Sequence, residues 1–266
     1  MSSTRHNVAA THLIQLTEAK LENIHADAIA RRIVSVALVD CYAGMARSFA
    51  FYGAAAVFIT MLQFLSWDRL LSDLGLVFLQ VVTAAFLFAC LAGVWGICCS
   101  GLTVFILKTT KVALHPLWTV SIASGLTGYT LMALPLLFTI TTNINFVVAF
   151  FLCPLLAMFV TQVGTVYYTG TRLYWRIAFE AYKHGADKEE IEARLAPDAS
   201  LQFGLIQIGA MLVWFAVLFA CLPLLPEIFA VRAMWLLFAW VVLTVPMTWA
   251  TIRIFEWYRL RYRDVR

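Results

Sequence analysis

Residues 74–107 read LGLVFLQVVTAAFLFACLAGVWGICCSGLTVFIL, a run of 34 residues without a charged side chain. One membrane-spanning helix needs about 20 apolar residues, and two helices with a turn between them need roughly 40. The run is therefore too long for one ordinary crossing and too short for two. It raises the central question of the fold, which is whether the chain crosses a bilayer here or enters and returns.

The composition of the whole chain is typical of an integral membrane protein. Its 266 residues are 62% hydrophobic and 13% charged, and the mean hydropathy is +0.85. Soluble domains carry about 25% charged residues. The first 28 residues are polar and lack the apolar stretch of a secretory signal, so we expect no cleavable leader.

Six apolar segments, each bounded by polar residues, predict an all-α, multi-pass fold with six transmembrane helices. Only helices and closed barrels satisfy the backbone in lipid, and the period-two alternation of a barrel is missing. The predicted spans are 48–65, 74–107, 117–140, 146–170, 201–225 and 233–254. Residues 1–47 are predicted to form a cytoplasmic amphipathic helical region, 48–255 the membrane domain with a cytoplasmic helical loop at 171–200, and 256–266 a basic cytoplasmic tail.

The distribution of basic residues predicts the orientation. With both termini in the cytoplasm, 17 of the 19 Lys and Arg residues lie inside, and only Arg69 and Arg232 lie outside. This bias requires the run 74–107 to cross once, because a return would move Lys108, Lys111 and everything after them to the other side. We expect one long helix that tilts, projects or bends near Gly96, and a re-entrant half-helix is the alternative.

The predicted spans hold few groups for chemistry. Arg253, at the end of the sixth span, is their only charged residue, and all five histidines lie outside them. Membrane enzymes and ion-coupled transporters need ionisable groups facing the interior. We therefore expect no enzyme activity and no catalytic, cofactor-binding or metal-binding residues. Cys98 and Cys99 are interpreted as small apolar filler, with lipidation or a redox role as the alternative.

Small residues and amides are the features that the spans do contain. Small residues at three- and four-residue spacing allow close helix packing, either within one bundle or against another subunit. These candidates are Ala89, Gly93, Gly96, Ser100, Ser121, Gly125 and Gly128. Gln80, Gln162 and Gln207 are predicted to form a polar interior, where they bond to one another or line a substrate cavity, because a buried amide needs a partner.

Aromatic and basic residues cluster in 167–176 and 253–263, at the cytoplasmic ends of two predicted spans. Tyrosine and tryptophan favour the headgroup level, and arginines beyond them attract anionic lipid. The clusters indicate membrane anchoring, with docking of a cytoplasmic partner as the alternative. The candidate residues for either role are Arg172, Arg176, Lys183, Arg259, Arg261 and Arg263.

Two functions fit this pattern. The first is a non-catalytic membrane subunit or scaffold of a larger envelope, transport or secretion complex in the bacterial inner membrane, with lipids and other membrane subunits as partners. The second is the permease subunit of an ATPase-driven exporter for a hydrophobic or lipid-linked substrate. The chain is similar to such permeases in length, span number and topology, although no motif supports the resemblance. Residues 171–200 would then dock the ATPase. We expect no nucleic-acid partner.

Overall fold

A computed structural model of the protein describes residues 39–62, 73–112, 114, 116–138, 151–183 and 204–263. Side chains are described up to residue 174 in the fifth of these ranges and up to residue 259 in the last. The contacts divide the chain into Met1–Val39 and Asp40–Arg266, and every contact discussed below lies within the second unit. Residues 1–38 of the predicted amphipathic region, and residues 184–200 of the predicted cytoplasmic loop, lie outside the described residues.

The described ranges are all-helical and contain no strand. Their six long helices correspond in order to the six predicted spans. They are α1 (Val39–Leu62), α2 (Leu74–Thr109), α3 (Pro116–Leu137), α4 (Cys153–Lys183), α5 (Leu205–Cys221) and α6 (Glu227–Arg263), with a 3₁₀ turn at Leu222–Leu224. Three of these helices extend by more than two residues beyond the predicted spans: α1 begins before residue 48, α4 continues past residue 170, and α6 runs from Glu227 to Arg263.

Five of these helices are long and apolar enough to cross a membrane, which identifies an integral membrane protein. They are α1, α2, α3, α6 and the unit formed by α5 with its 3₁₀ turn, Leu205–Leu224. The helix outside this set, α4, carries Thr161, Gln162 and Thr165 on its inner face. These side chains lower its hydropathy, but neighbouring helices bury them, so they do not face lipid.

The uncharged run 74–107 forms one continuous helix. Helix α2 has 36 residues and is about 54 Å long at 1.5 Å per residue, well beyond the ~30 Å hydrocarbon core. Its last turn holds Lys108, and the chain leaves the helix through Lys111, whose φ of 54° is left-handed. The Val112 amide donates back to the Leu107 carbonyl at 3.1 Å, which satisfies one of the terminal carbonyl groups.

Helix α4 is the centre of the bundle and packs against α1, α3 and α6. Its fully buried residues recur at the spacing of one helical face. They are Ala157, Met158, Thr161, Gln162, Thr165, Val166 and Thr169. A main apolar cluster joins them to Cys41 and Met45 of α1, to α3, and to Phe255 of α6.

Helix α5 lies at the side of this bundle. None of its residues is buried. Its described polar contacts reach the carboxyl end of α2: Trp214 Nε1 donates to Thr109 Oγ1 at 3.0 Å, and Gln207 Nε2 donates to the Lys111 carbonyl at 3.3 Å. The Trp214 ring also meets Phe105 edge to face, with ring centroids 5.5 Å apart. The rest of α5 is left open to lipid or to another membrane protein.

Candidate functional site: the buried polar centre of the bundle

The glycines of α3 allow α3 and α4 to approach closely. A Cβ placed on Gly128 would lie 2.7 Å from the Ala157 carbonyl oxygen and 2.6 Å from Thr161 Oγ1. A Cβ on Gly125 would overlap the side-chain amide of Gln162. Ser121, one turn earlier, is fully buried on the same helix. The structure therefore places all three predicted small residues of α3 in the interior.

The predicted small residues of α2 lie on two different faces. Gly96 and Ser100 are buried, and a Cβ on Gly96 would lie 2.7 Å from Met45 Sδ of α1. Gly93 has open space where its side chain would be, and Ala89 is half-buried. The buried row of α2 instead runs along Ala92, Gly96, Cys99, Ser100 and Thr103.

The three predicted interior glutamines do not come together. Gln162 is fully buried at the centre of the bundle. Gln80 is exposed near the start of α2. Gln207 is half-buried in the first turn of α5, where its Oε1 accepts from the Gly204 amide and caps the helix. A single amide therefore takes the interior role predicted for three.

Gln162 links α4 to α6. Its Nε2 donates to Thr248 Oγ1 at 3.2 Å, and both residues are fully buried. Its Oε1 has no hydrogen-bond partner in the described part of the chain. The contact of the same side chain with Gly125 places it between three helices. This amide joins α3, α4 and α6 and leaves one acceptor available inside the bundle.

The buried hydroxyl groups of α1, α3, α4 and α6 fall into two sets. One set satisfies itself on its own helix: Thr127 donates to the Ala123 carbonyl at 2.8 Å, and Ser48 donates to the Gly44 carbonyl at 2.7 Å. The other set is buried and has no partner among the described residues: the hydroxyls of Ser121, Thr165, Thr169 and Thr251. The centre therefore offers neutral hydrogen-bonding groups and not acids or bases.

One ion pair lies at the end of this centre, between α1 and α4. Arg172 Nη1 lies 3.2 Å from Asp40 Oδ1, and the Asp40 side chain is 5% exposed. Arg47 lies with its guanidinium carbon 4.3 Å from the centre of the Tyr168 ring, and the Arg172 guanidinium lies 4.8 Å from the same ring centre. Asp40 and Arg47 were not among the predicted site residues, although their seven-residue spacing puts them on one helical face.

The predicted docking and lipid residues have different environments. Arg172 is half exposed and paired, as described, and Arg259 lies 5.4 Å from the Tyr174 ring centre. Arg176 and Lys183 belong to the last turns of α4, and Arg261 and Arg263 to the last turn of α6, where the backbone alone is described. The structure thus places these residues near the carboxyl ends of α4 and α6.

The histidine, cysteine and acidic side chains of the described ranges form neither a metal site nor a disulfide. The described residues contain no group of three His, Cys, Asp or Glu side chains that could hold a metal ion. All six cysteines are free thiols; Cys99 is buried with its Sγ 3.9 Å from Thr130 Oγ1, and its neighbour Cys98 is exposed. The described site contains amide and hydroxyl side chains and, at its end, the carboxylate of Asp40 with two arginines.

The chain was compared with protein-family models, curated proteins and solved structures. No family model, no curated protein and no solved structure matches it.

Proposed function

We propose that this protein is a non-catalytic subunit or scaffold of a larger membrane complex, located in a bacterial inner membrane with both termini in the cytoplasm. The observation that carries the proposal is the peripheral position of α5. This helix has no fully buried residue, and its described polar contacts with the rest of the chain are confined to the end of α2, so most of its surface has no packing partner in its own chain. A partner helix in the membrane would give it one.

The exposed faces of α5 and α2 support this proposal. Large apolar side chains point outward on both helices, including Leu212 at 62% exposure, Val213 at 63% and Val94 at 70%. Gly93 and Gly101 on α2 also have open space beside them. Small open positions beside large apolar side chains suit the close approach of another membrane helix.

The interior supports a non-catalytic role. Asp40 is the only acidic or basic side chain among the buried residues of the described ranges, and Arg172 neutralises it. The other buried polar groups are hydroxyls and one amide, and many of them bond to their own helix. Their arrangement suits helix packing, because neutral hydroxyls at pH 7 neither donate nor accept protons as catalytic acids or bases do.

The proposed orientation rests on charge. The segments of 171–183 and 253–263 continue predicted spans as helices and carry basic residues at one end. Because basic residues are retained on the cytoplasmic side, these ends belong inside.

The test is site-specific photo-crosslinking in intact membranes. A photoreactive residue at Leu212 or Val213 is expected to give protein adducts of the same discrete mass, which mass spectrometry then identifies. The matched control is Val245 of α6, which is 53% exposed on another helix. If both α5 positions give lipid adducts alone, as expected for a helix that faces only lipid, the proposal is wrong.

The permease alternative is favoured by one specific observation, the length of α4. This helix runs unbroken from Cys153 to Lys183, about 46 Å at 1.5 Å per residue, and so extends beyond its predicted span. A helix that projects from the bilayer with basic residues is a suitable docking element for a cytoplasmic ATPase.

Charge reversal at Arg176 and Lys183 tests this alternative and leaves the Asp40–Arg172 pair intact. A docked ATPase would co-purify with the wild-type protein and be lost from the doubly reversed variant. Arg253→Glu on α6 is the control. If membrane proteins still co-purify with the charge-reversed variant, the result would favour the subunit function instead.

A further inference from the structure

An open groove runs along the lipid-facing side of α1 and α4. Its volume is about 440 Å³, and most of its lining is apolar. Phe51 of α1 forms one wall, while Phe159, Val160 and Val163 of α4 form the other. Phe51 is 71% exposed, so the groove opens away from the bundle.

The groove has an apolar part and a cationic end. Arg47, Tyr167 and Tyr168 line one end of it, and Phe159 lies toward the other. From Phe159 to Tyr168 along α4 the groove extends roughly 14 Å, at 1.5 Å per residue. An apolar groove with a cation at one end is complementary to a phospholipid. The apolar part would hold an acyl chain, and the cation would bind the phosphate.

The charges at this end are unbalanced. Among the described residues, Arg172 is paired with Asp40, and Arg47 adds a further positive charge beside this pair. Among the described residues, Arg47 contacts the Tyr168 ring and forms no ion pair with a carboxylate. Its side chain is exposed at the rim of the groove. An exposed guanidinium stacked on a tyrosine keeps its hydrogen-bond donors available to the two oxygens of a phosphate.

We propose that the α1–α4 groove is a binding site for one anionic phospholipid, with an acyl chain between Phe51 and Val160 and the phosphate against Arg47. The excess positive charge selects an anionic headgroup over a zwitterionic one. A second copy of the chain fits less well, because a symmetric contact through this surface would bring Arg47 of each copy toward the other.

The test measures lipid binding to the purified full-length protein by native mass spectrometry in a non-ionic detergent. The probes are phosphatidylglycerol and phosphatidylcholine with identical acyl chains. The wild-type protein is expected to bind one phosphatidylglycerol with a clear preference over phosphatidylcholine. Arg47→Gln should weaken phosphatidylglycerol binding about fivefold, the effect of losing one cation beside an anionic headgroup, and leave phosphatidylcholine binding nearly unchanged.

Two further variants separate the groove from the overall charge. Val160→Trp fills the apolar part, keeps Arg47 and should weaken the binding of both lipids. Arg253→Gln removes an exposed arginine of α6 and should leave both affinities unchanged. Each variant is first compared with the wild type by size-exclusion chromatography and circular dichroism.

Three results would overturn the proposal. If the wild-type protein binds the two lipids with equal affinity, Arg47 does not select the headgroup. This measurement needs no variant. An equal loss in Arg47→Gln and Arg253→Gln would indicate a general charge effect. A dimer of the chain that Val160→Trp dissociates would make a second copy the occupant of the groove.

Discussion

Single residues decide how closely α3 and α4 approach each other. Gly128 lies against the backbone of α4, whereas Gly93 of α2 faces open space. Both are glycines in the interior of apolar helices, and the sequence around them looks alike. Their different neighbours therefore provide a matched pair of positions.

Gly128→Ala is expected to destabilise the bundle by about 1–3 kcal/mol, because the new methyl group would press on the Ala157 carbonyl and force the helices apart. Gly93→Ala adds the same methyl group and should change the free energy of unfolding by less than about 0.5 kcal/mol. Titration of sodium dodecyl sulfate into mild-detergent micelles measures both values. Equal effects of the two substitutions would contradict the packing described for Gly128.

The bond between Gln162 and Thr248 leads to a second prediction. Thr248→Val removes the acceptor and leaves the buried Nε2 of Gln162 unpaired, which should cost about 1 kcal/mol. Gln162→Met removes the whole amide, including the Oε1 that has no partner, and should cost less. The same titration on the two variants and their double mutant gives the coupling energy. A coupling near zero would show that the two side chains do not interact.

At the scale of elements, α1 and α4 are joined by charge as well as by packing. The Asp40 carboxylate is nearly inaccessible, and Arg172 covers it from the next helix. Helix α6 carries a contrasting pair, Arg253 with Glu256, which lies within one helix and is more exposed, at 53% and 23% of the two side chains. The burial of the acidic partner determines how much each pair contributes.

Asp40→Asn is expected to lower the free energy of unfolding by about 1–2 kcal/mol, because it leaves Arg172 without its anion beside a buried amide. Glu256→Gln should have an effect below about 0.5 kcal/mol, as is usual for an exposed pair. The comparison requires the unfolding titration at low and at high salt. If salt weakened both pairs equally, the burial of Asp40 would not be the cause.

The elements also show which parts of the site could be predicted from sequence. The long helix α2 was expected from its uncharged run and the charge bias. Gln80, Gln162 and Gln207 were predicted together as a polar interior, because the sequence does not show which face of its helix an amide occupies. The buried face of α2 could not be assigned from sequence, because the small residues Ala89, Ala92, Gly93 and Gly96 lie on several faces of the helix. The regular spacing of Thr161, Thr165 and Thr169 was the available signal for a buried face of α4.

At the scale of the whole molecule, the charge bias predicts that the turn after α5 faces the outside and the turn after α2 faces the cytoplasm. Leu225→Cys should then react with a membrane-impermeant maleimide in intact cells, and Val112→Cys should react after permeabilisation alone. Both substitutions are made in a Cys221→Ser protein, because the native Cys221 lies next to the turn after α5 and could itself be labelled. The reverse labelling pattern would contradict the orientation. Native cysteines that face lipid should add little background labelling, because maleimides react with the thiolate and apolar surroundings disfavour it.

The whole-molecule arrangement was predictable in number and order of helices, because six apolar segments each require a helix in lipid. The place of α5 was not predictable. Its residues are as hydrophobic as those of a central helix. Hydropathy does not distinguish an apolar side chain that contacts lipid from one that packs against protein. The polar residues of α4 mark the centre of the bundle more clearly than any apolar residue does.

The peripheral position of α5 has a consequence for how well this helix tolerates substitutions. In a chain that works alone, random apolar substitutions on the exposed face of α5, at positions such as Leu212 and Val213, should be nearly neutral, since no side chain there is buried. In an assembled complex, one stripe of the same helix should reject changes of size. A saturation library of α5, selected in cells, would therefore map the footprint of a partner before that partner is identified.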